Sequence, residues 1–281
     1  MAPADESAET STPSPAVPPP PGLAGLQLDV HGPVAHLTLD RPEVLNALSV
    51  ELLDELVVAC RWLQEREAIR VVVFRGAGRT FSAGADLSTL AQLATDDAGA
   101  RHAATAGDRA ATAIEALDAV TIAAIHGRCV GGGIVLALAC DLRFAGQGAR
   151  FSIPEVDLGI PLAWGGIPRL LREVGPALAR DLVLTCREFD ADAALAAGIV
   201  SRVVPDDDLA ELVTDTAAGL AAKAPLPVRA TLDAIARVAG IGAPHGWSDA
   251  DTLLTAVRDP DSRAVAAAYL DAMAGPRGTS R

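Results

Sequence analysis

Residues 26 to 40 read LQLDVHGPVAHLTLD, with apolar and polar positions alternating on either side of His31-Gly32-Pro33. A period of two interrupted by a Gly-Pro turn predicts a β-hairpin. The period then lengthens. Ser49 is a helix-capping residue type, and beyond it Leu52, Leu53, Leu56, Val57, Cys60 and Leu63 recur at steps of three and four, predicting a helix with one buried face. The mainly apolar runs from Ile69 to Phe74 and from Val120 to Ile125 predict strands covered on both sides. Between them lie the glycine-rich loop GAGRTFSAGADL and a helical region reaching about Leu117. After a second glycine run at 131 to 133, Ile134 to Cys140 predicts a short buried helix. Leu142 to Ala145 and Arg150 to Ile153 predict further strands. Strands alternating with helices argue a parallel α/β core. Beyond Pro205 the pattern is Ala-rich and helical, with no strand. The expected division is therefore a tail over 1–22, a core over 23–204 and a helical C-terminal region over 205–281, whose apolar faces suit self-association.

Charge narrows the partners. The 281 residues carry a net charge of −13 and no run of Lys and Arg, which argues against a nucleic-acid partner. Residues 1 to 22 are polar and Pro-rich, without the apolar stretch of a secretory signal, and read as a disordered tail. No uncharged apolar stretch reaches the roughly 18 to 20 residues of a membrane span. A soluble protein of the cytoplasm, without a membrane partner, is expected. Cys60, Cys129, Cys140 and Cys186 show no paired spacing and read as reduced thiols. The five histidines show no metal-ligand spacing, so no metal is expected.

Chemistry concentrates in the two glycine loops. Each follows a strand and precedes a helix, so each presents unpaired backbone N–H groups. Gly131, Gly132 and Gly133 serve either to expose such a donor or to let helix and strand pack closely. The second loop, with Ala83, Gly84 and Ala85, supplies another donor, and two donors are what a developing oxyanion needs. The spacing of a dinucleotide-binding GxGxxG turn is absent.

The stretches RPEVLNAL (41 to 48), FSAGADL (81 to 87), IAAIHGRCVGGGIVLALACDL (122 to 142), FSIPEVDLGI (151 to 160) and FDADAALAAGIV (189 to 200) resemble the ordered motifs of the enoyl-CoA hydratase/isomerase, or crotonase, superfamily. The resemblance covers about residues 26 to 204. It implies an α/β fold built as a spiral of ββα units with a helical C-terminal trimerisation region, assembled as a homotrimer or a dimer of trimers. It also implies an acyl-CoA thioester substrate, with coenzyme A carried by the substrate and no separate cofactor. By position, the resemblance implies an oxyanion hole made of the backbone N–H of Ala85 and of Gly132, with Ala83, Gly84, Asp86, Gly131 and Trp164 as substrate-binding residues.

Family hydratases typically carry two glutamates. In this chain the second position is Glu155 and the first is Val135. Spacing alone leaves Glu155 as a solvated loop carboxylate or a capping charge, whereas the resemblance implies a catalytic acid-base. One carboxylate beside an aliphatic residue is similar to the pattern of mitochondrial 3,2-enoyl-CoA isomerases. Double-bond isomerisation is accordingly expected first, 2-enoyl-CoA hydration second, and catalytically silent acyl-CoA binding third. Asp157 reads as structural, accepting turn N–H bonds before Gly159, and Asp86 as a helix cap. Asp141 reads as structural and His126 as a packed turn residue. LAWGG replaces the usual Pro-Gly-Ala-Gly-Gly run, placing Trp164 beside the acyl pocket as a wall or as core packing. Ala264-Val265 replaces the usual Glu-Gly near Tyr269. Glu43 stands where a lysine is common, leaving Arg41 and Arg79 as candidates for the CoA phosphates.

Overall fold

The computed structural model describes residues 22–87, 98–239 and 248–274. The expected tail, apart from Gly22, lies outside the described residues, as does the start of the helical region that precedes Leu117.

The alternating segment forms β1 (Leu26–His31) and β2 (Val34–Leu39), paired antiparallel with Leu26 opposite Leu39. Leu26 and Leu28 are buried while Gln27 and Asp29 are exposed, as a one-sided strand requires. Next comes α1 (Val50–Gln64), capped by Ser49, whose Oγ accepts from the Leu52 N–H at 3.3 Å. The following strand, β3 (Val71–Gly76), starts two residues later than the apolar run. Ile69 N–H closes a turn onto the Arg66 carbonyl, so pairing begins only after it. Then follow α2 (Ala98–Glu115), β4 (Val120–Ile125), β5 (Arg128–Val130), α3 (Gly132–Leu138), β6 (Leu142–Gly146) and β7 (Arg150–Ser152). Helix α4 (Gly166–Thr185) breaks at Gly175, whose φ of 71° and ψ of 171° precede Pro176. The remaining elements are β8 (Phe189–Asp190), α5 (Ala191–Ala196), β9 (Arg202–Val204), α6 (Leu209–Ala221), α7 (Pro225–Ala239), α8 (Ser248–Ala256) and α9 (Pro260–Ala274). After β9 all regular structure among the described residues is helical.

Strands β1-β2-β3-β4-β6-β9 form one sheet in that order, parallel after the opening hairpin. A second sheet has the order β5-β7-β8. The unbroken valines of β3 feed two cores. Val72 and Phe74 join the main core with α1, α2 and α3, while Val71 and Val73 pack under Leu209, Val213 and Ala217 of α6. Sequence reading did not find β5, β8 and β9, which at two or three residues are too short to show a period. Among the described residues, no helix is long and apolar enough to cross a membrane.

Candidate active site

The two glycine loops are stitched together by backbone. Ser82 N–H donates to the Arg128 carbonyl (3.1 Å) and Val130 N–H to the Ser82 carbonyl (3.0 Å), a bridge that carries the first loop alongside β5. A matching bridge runs from Leu48, which donates to the Gly84 carbonyl (2.8 Å) and accepts from Asp86 N–H (3.0 Å). In a parallel bridge the neighbours of the central residue make the bonds, so its own N–H faces away. That central residue is Ala85. Gly132 opens α3, where a helix has no internal acceptor for its first N–H groups. Among the described residues, neither the Ala85 N–H nor the Gly132 N–H donates a hydrogen bond, and both residues line one cavity.

Each glycine of the run has its own reason. Gly131 has φ 48° and ψ −113°, a backbone that side-chain-bearing residues avoid, and a Cβ there would lie 2.2 Å from Glu155 Oε1. A Cβ on Gly132 would lie 2.3 Å from Cζ3 of Trp164. One on Gly133 would press on Ser82 Cβ at 2.9 Å. Close packing and donor exposure are therefore served together.

Gly131 N–H donates to the Ser152 carbonyl (2.9 Å), which fixes the turn after β7 and brings Glu155 over the glycines. Glu155 as a residue is partly exposed, but its carboxyl end is turned into the protein and away from solvent. Its Oε2 is sealed from solvent without a hydrogen-bond partner among the described residues. The cavity is otherwise apolar there, lined by Val135, Ile160, Pro161, Leu162, Ala163, Trp164 and Leu253. Burial raises the carboxyl pKa to about 7, opposed in part by a bond to its own backbone. Val135 is fully buried in the same lining. Among the described residues Glu155 is the sole carboxylate there.

Other candidates are placed differently. Asp86 pairs with Arg41 (3.2 Å) and does not line the cavity. The segment it was expected to cap begins at Leu87 and runs outside the described residues. Arg41 also donates to the Ala47 carbonyl (2.7 Å), so it is held inside its own turn. Asp157 does not accept the turn N–H groups: those of Leu158, Gly159 and Ile160 all go to main-chain carbonyls. Its carboxylate instead lies near Cys186 and Tyr269, raising both their pKa values alongside burial, the larger cause. Asp141 accepts from both the N–H and hydroxyl of Thr121 (2.8 and 2.7 Å), anchoring β4 to the end of α3. His126 donates from Nε2 to the Gly78 carbonyl (3.0 Å), as a turn residue does.

Trp164 has φ 59°, rare for a bulky residue, and its strain is worth about 1–3 kcal/mol. A buried cation holds it. Arg169, with no exposed surface, donates from Nη1 to the Trp164 carbonyl (2.8 Å) and reaches Glu115 Oε1 (3.0 Å), Glu115 Oε2 (2.7 Å) and Asp108 (3.3 Å) on α2. Sequence reading missed Arg169, Leu253 and Gly107, whose lack of a Cβ leaves room on α2 for the Trp164 ring. An isolated glycine inside the helical pattern of α2 was the available signal for Gly107, since it costs about 1 kcal/mol relative to alanine. Arg169 and Leu253 had none.

The profile of the family described as enoyl-CoA hydratase/isomerase matches residues 29–263. The chain belongs to that family. It is 36% identical over 216 residues to the short-chain-enoyl-CoA hydratase of Clostridium acetobutylicum, covering 76% of this chain and 82% of the relative. It is 36% identical over 224 residues to the peroxisomal Delta(3,5)-Delta(2,4)-dienoyl-CoA isomerase of Arabidopsis thaliana, covering 76% and 81%. The crystal structure of an enoyl-CoA hydratase from Bacillus anthracis superposes with a TM-score of 0.72 at 33% identity, covering 78% of this chain and 91% of that one. The fold is thus the crotonase type, and the family match extends beyond residue 204 into the C-terminal helices.

Proposed function

We propose that this enzyme moves the double bond of an enoyl-CoA thioester, with Glu155 carrying the proton alone. The supporting observation is the pairing of one sealed carboxylate with Val135 in a cavity that also holds the two free N–H groups. Ionised Glu155 takes a proton from the α-carbon of a 3-enoyl thioester. The C–H electron pair moves into the thioester, whose oxygen becomes anionic and accepts from Ala85 and Gly132. A donor of this kind is worth roughly 3–4 kcal/mol in comparable sites. The now neutral Glu155 returns the proton at the γ-carbon, the electrons flow back, and C3=C4 has become C2=C3 with no atom gained or lost. A pKa near 7 suits a group that must both accept and donate at neutral pH. Addition of water would need a second group to hold and deprotonate it, and Val135 cannot.

Hydration is the second reading, favoured by the hydratase relative. The deciding experiment offers 3-butenoyl-CoA and 2-butenoyl-CoA to the same preparation. Isomerisation faster than hydration, abolished by Glu155→Gln, is the expected result. Faster hydration overturns the preference, and thioester binding without either turnover leaves a silent binder. The same reading takes the chain to a homotrimer or a dimer of trimers, in keeping with exposed Leu226, Ile235 and Val238 on α7. Arg79, which has no ion-pair partner among the described residues, is the remaining candidate for a CoA phosphate.

A further inference from the structure

We infer that Trp164 is a specificity-determining stop in the acyl pocket, restricting the enzyme to short-chain thioesters of about four carbons. The inference rests on the reading that Glu155 and the two N–H groups act on an acyl thioester. Its own ground is the seat of the indole ring. A Cβ on Gly107 of α2 would lie 1.9 Å from Trp164 Cδ2, and one on Gly132 would lie 2.3 Å from Cζ3. The ring therefore fills a notch between two helices that only glycines can form. The notch and its burial hold the ring, while the Arg169 guanidinium pins the backbone beneath it by holding the Trp164 carbonyl and is itself fixed to α2 through Glu115 and Asp108. Gly165, with φ 65°, continues the left-handed turn that aims the ring inward.

The room beside the ring is small. The cavity shared by Glu155, Gly132, Val135 and Trp164 measures about 40 Å³, space for about three water molecules at roughly 10–15 Å³ of centre volume each. Its other walls, Ile160, Pro161, Leu162 and Leu253, are apolar and suit hydrocarbon. A chain growing past the reacting carbons meets the indole. Each methylene forced against a fixed wall is discriminated by roughly tenfold or more in such pockets.

The test measures kcat/KM for thioesters of four, six and ten carbons, using whichever of isomerisation or hydration the protein performs. In the unmodified enzyme the ten-carbon substrate should fall at least about tenfold below the four-carbon one, mainly through KM. Trp164→Ala should raise the ten-to-four ratio at least about tenfold, and Trp164→Leu by less. Equal use of four and ten carbons by the unmodified enzyme overturns the inference, as does an unchanged ratio in a folded Trp164 variant. If both variants fail to fold, titration of unmodified protein with butanoyl-CoA and decanoyl-CoA decides, tighter decanoyl binding being the overturning result. Absence of turnover at every length refutes the catalytic reading instead, and the same titrations then judge Trp164 alone.

Discussion

Replacing Glu155 with Gln removes a charge that the fold holds at a disadvantage, and the consequence is measurable without any substrate. The native carboxyl has its pKa raised from 4.5 to about 7 by burial. The folded state therefore binds this proton more tightly than the unfolded chain. The stabilisation is complete below pH 4.5 and is lost as pH rises through about 7, so Glu155 makes unmodified protein less stable toward alkaline pH. The gap between the two values corresponds to about 3 kcal/mol. Glutamine does not titrate. The stability of Glu155→Gln minus that of the unmodified protein should thus grow by about 2.5 kcal/mol between pH 5 and pH 8.5, or roughly 5–10 °C in Tm for a domain of this size. Urea titrations at fixed protein concentration give the difference at each pH, and any constant effect of the amide cancels between them. Parallel pH profiles would show that the carboxyl is not sealed, and the account of its chemistry would fail with them.

Gly131→Ala should cut turnover at least about 100-fold and cost about 1–3 kcal/mol, because φ 48° strains the new residue and its Cβ displaces Glu155 Oε1; kinetics and urea denaturation read the two effects. Arg169→Met should destabilise by about 2–4 kcal/mol, since it removes the Arg169 bonds to the buried Glu115 carboxylate, which keeps only Arg172 (2.8 Å) as a cationic partner among the described residues; a loss below about 1 kcal/mol in urea would contradict the clamp. Val135→Glu should raise hydration of 2-butenoyl-CoA relative to isomerisation by placing a second carboxylate in the cavity with Glu155, and should lower the melting temperature, because a buried acid without a partner costs several kcal/mol. An unchanged ratio in that variant would show that Val135 does not set the reaction.

The elements long enough to show a period were legible along the chain. The hairpin, α1 and β4 follow from spacing, because burial on one face or two writes itself into six or more consecutive residues. The register that brings Ser82 beside Cys129 and Leu48 beside Ala85 is carried by single bridges between distant loops, and no local pattern encodes it. Glu155 illustrates the same boundary. Spacing left it an ordinary loop carboxylate; only the turn fixed by Gly131 N–H on the Ser152 carbonyl, and the apolar walls contributed by residues 160 to 164 and Leu253, turn it into a sealed acid. Asp157 went the other way, because the Cys186 it lies near is 29 residues away, and the Asp86 pairing with Arg41 spans 45 residues, beyond any local pattern.

The proposed chemistry and the packing draw on the same residues. Gly132 must lack a side chain for the indole to lie against it, and as the first residue of α3 it also has an N–H with no internal acceptor. A larger residue there would move Trp164 and the donor in one step. Trp164 in turn covers the wall of the cavity that keeps Glu155 out of solvent, so the ring that limits the chain also helps to hold the carboxyl near neutrality. Removing the ring should therefore lower the Glu155 pKa as it lengthens the accepted chain. The rising limb of the kcat/KM pH profile in Trp164→Ala should shift to lower pH, and a limb that stays near 7 would mean that the remaining apolar walls seal the acid unaided.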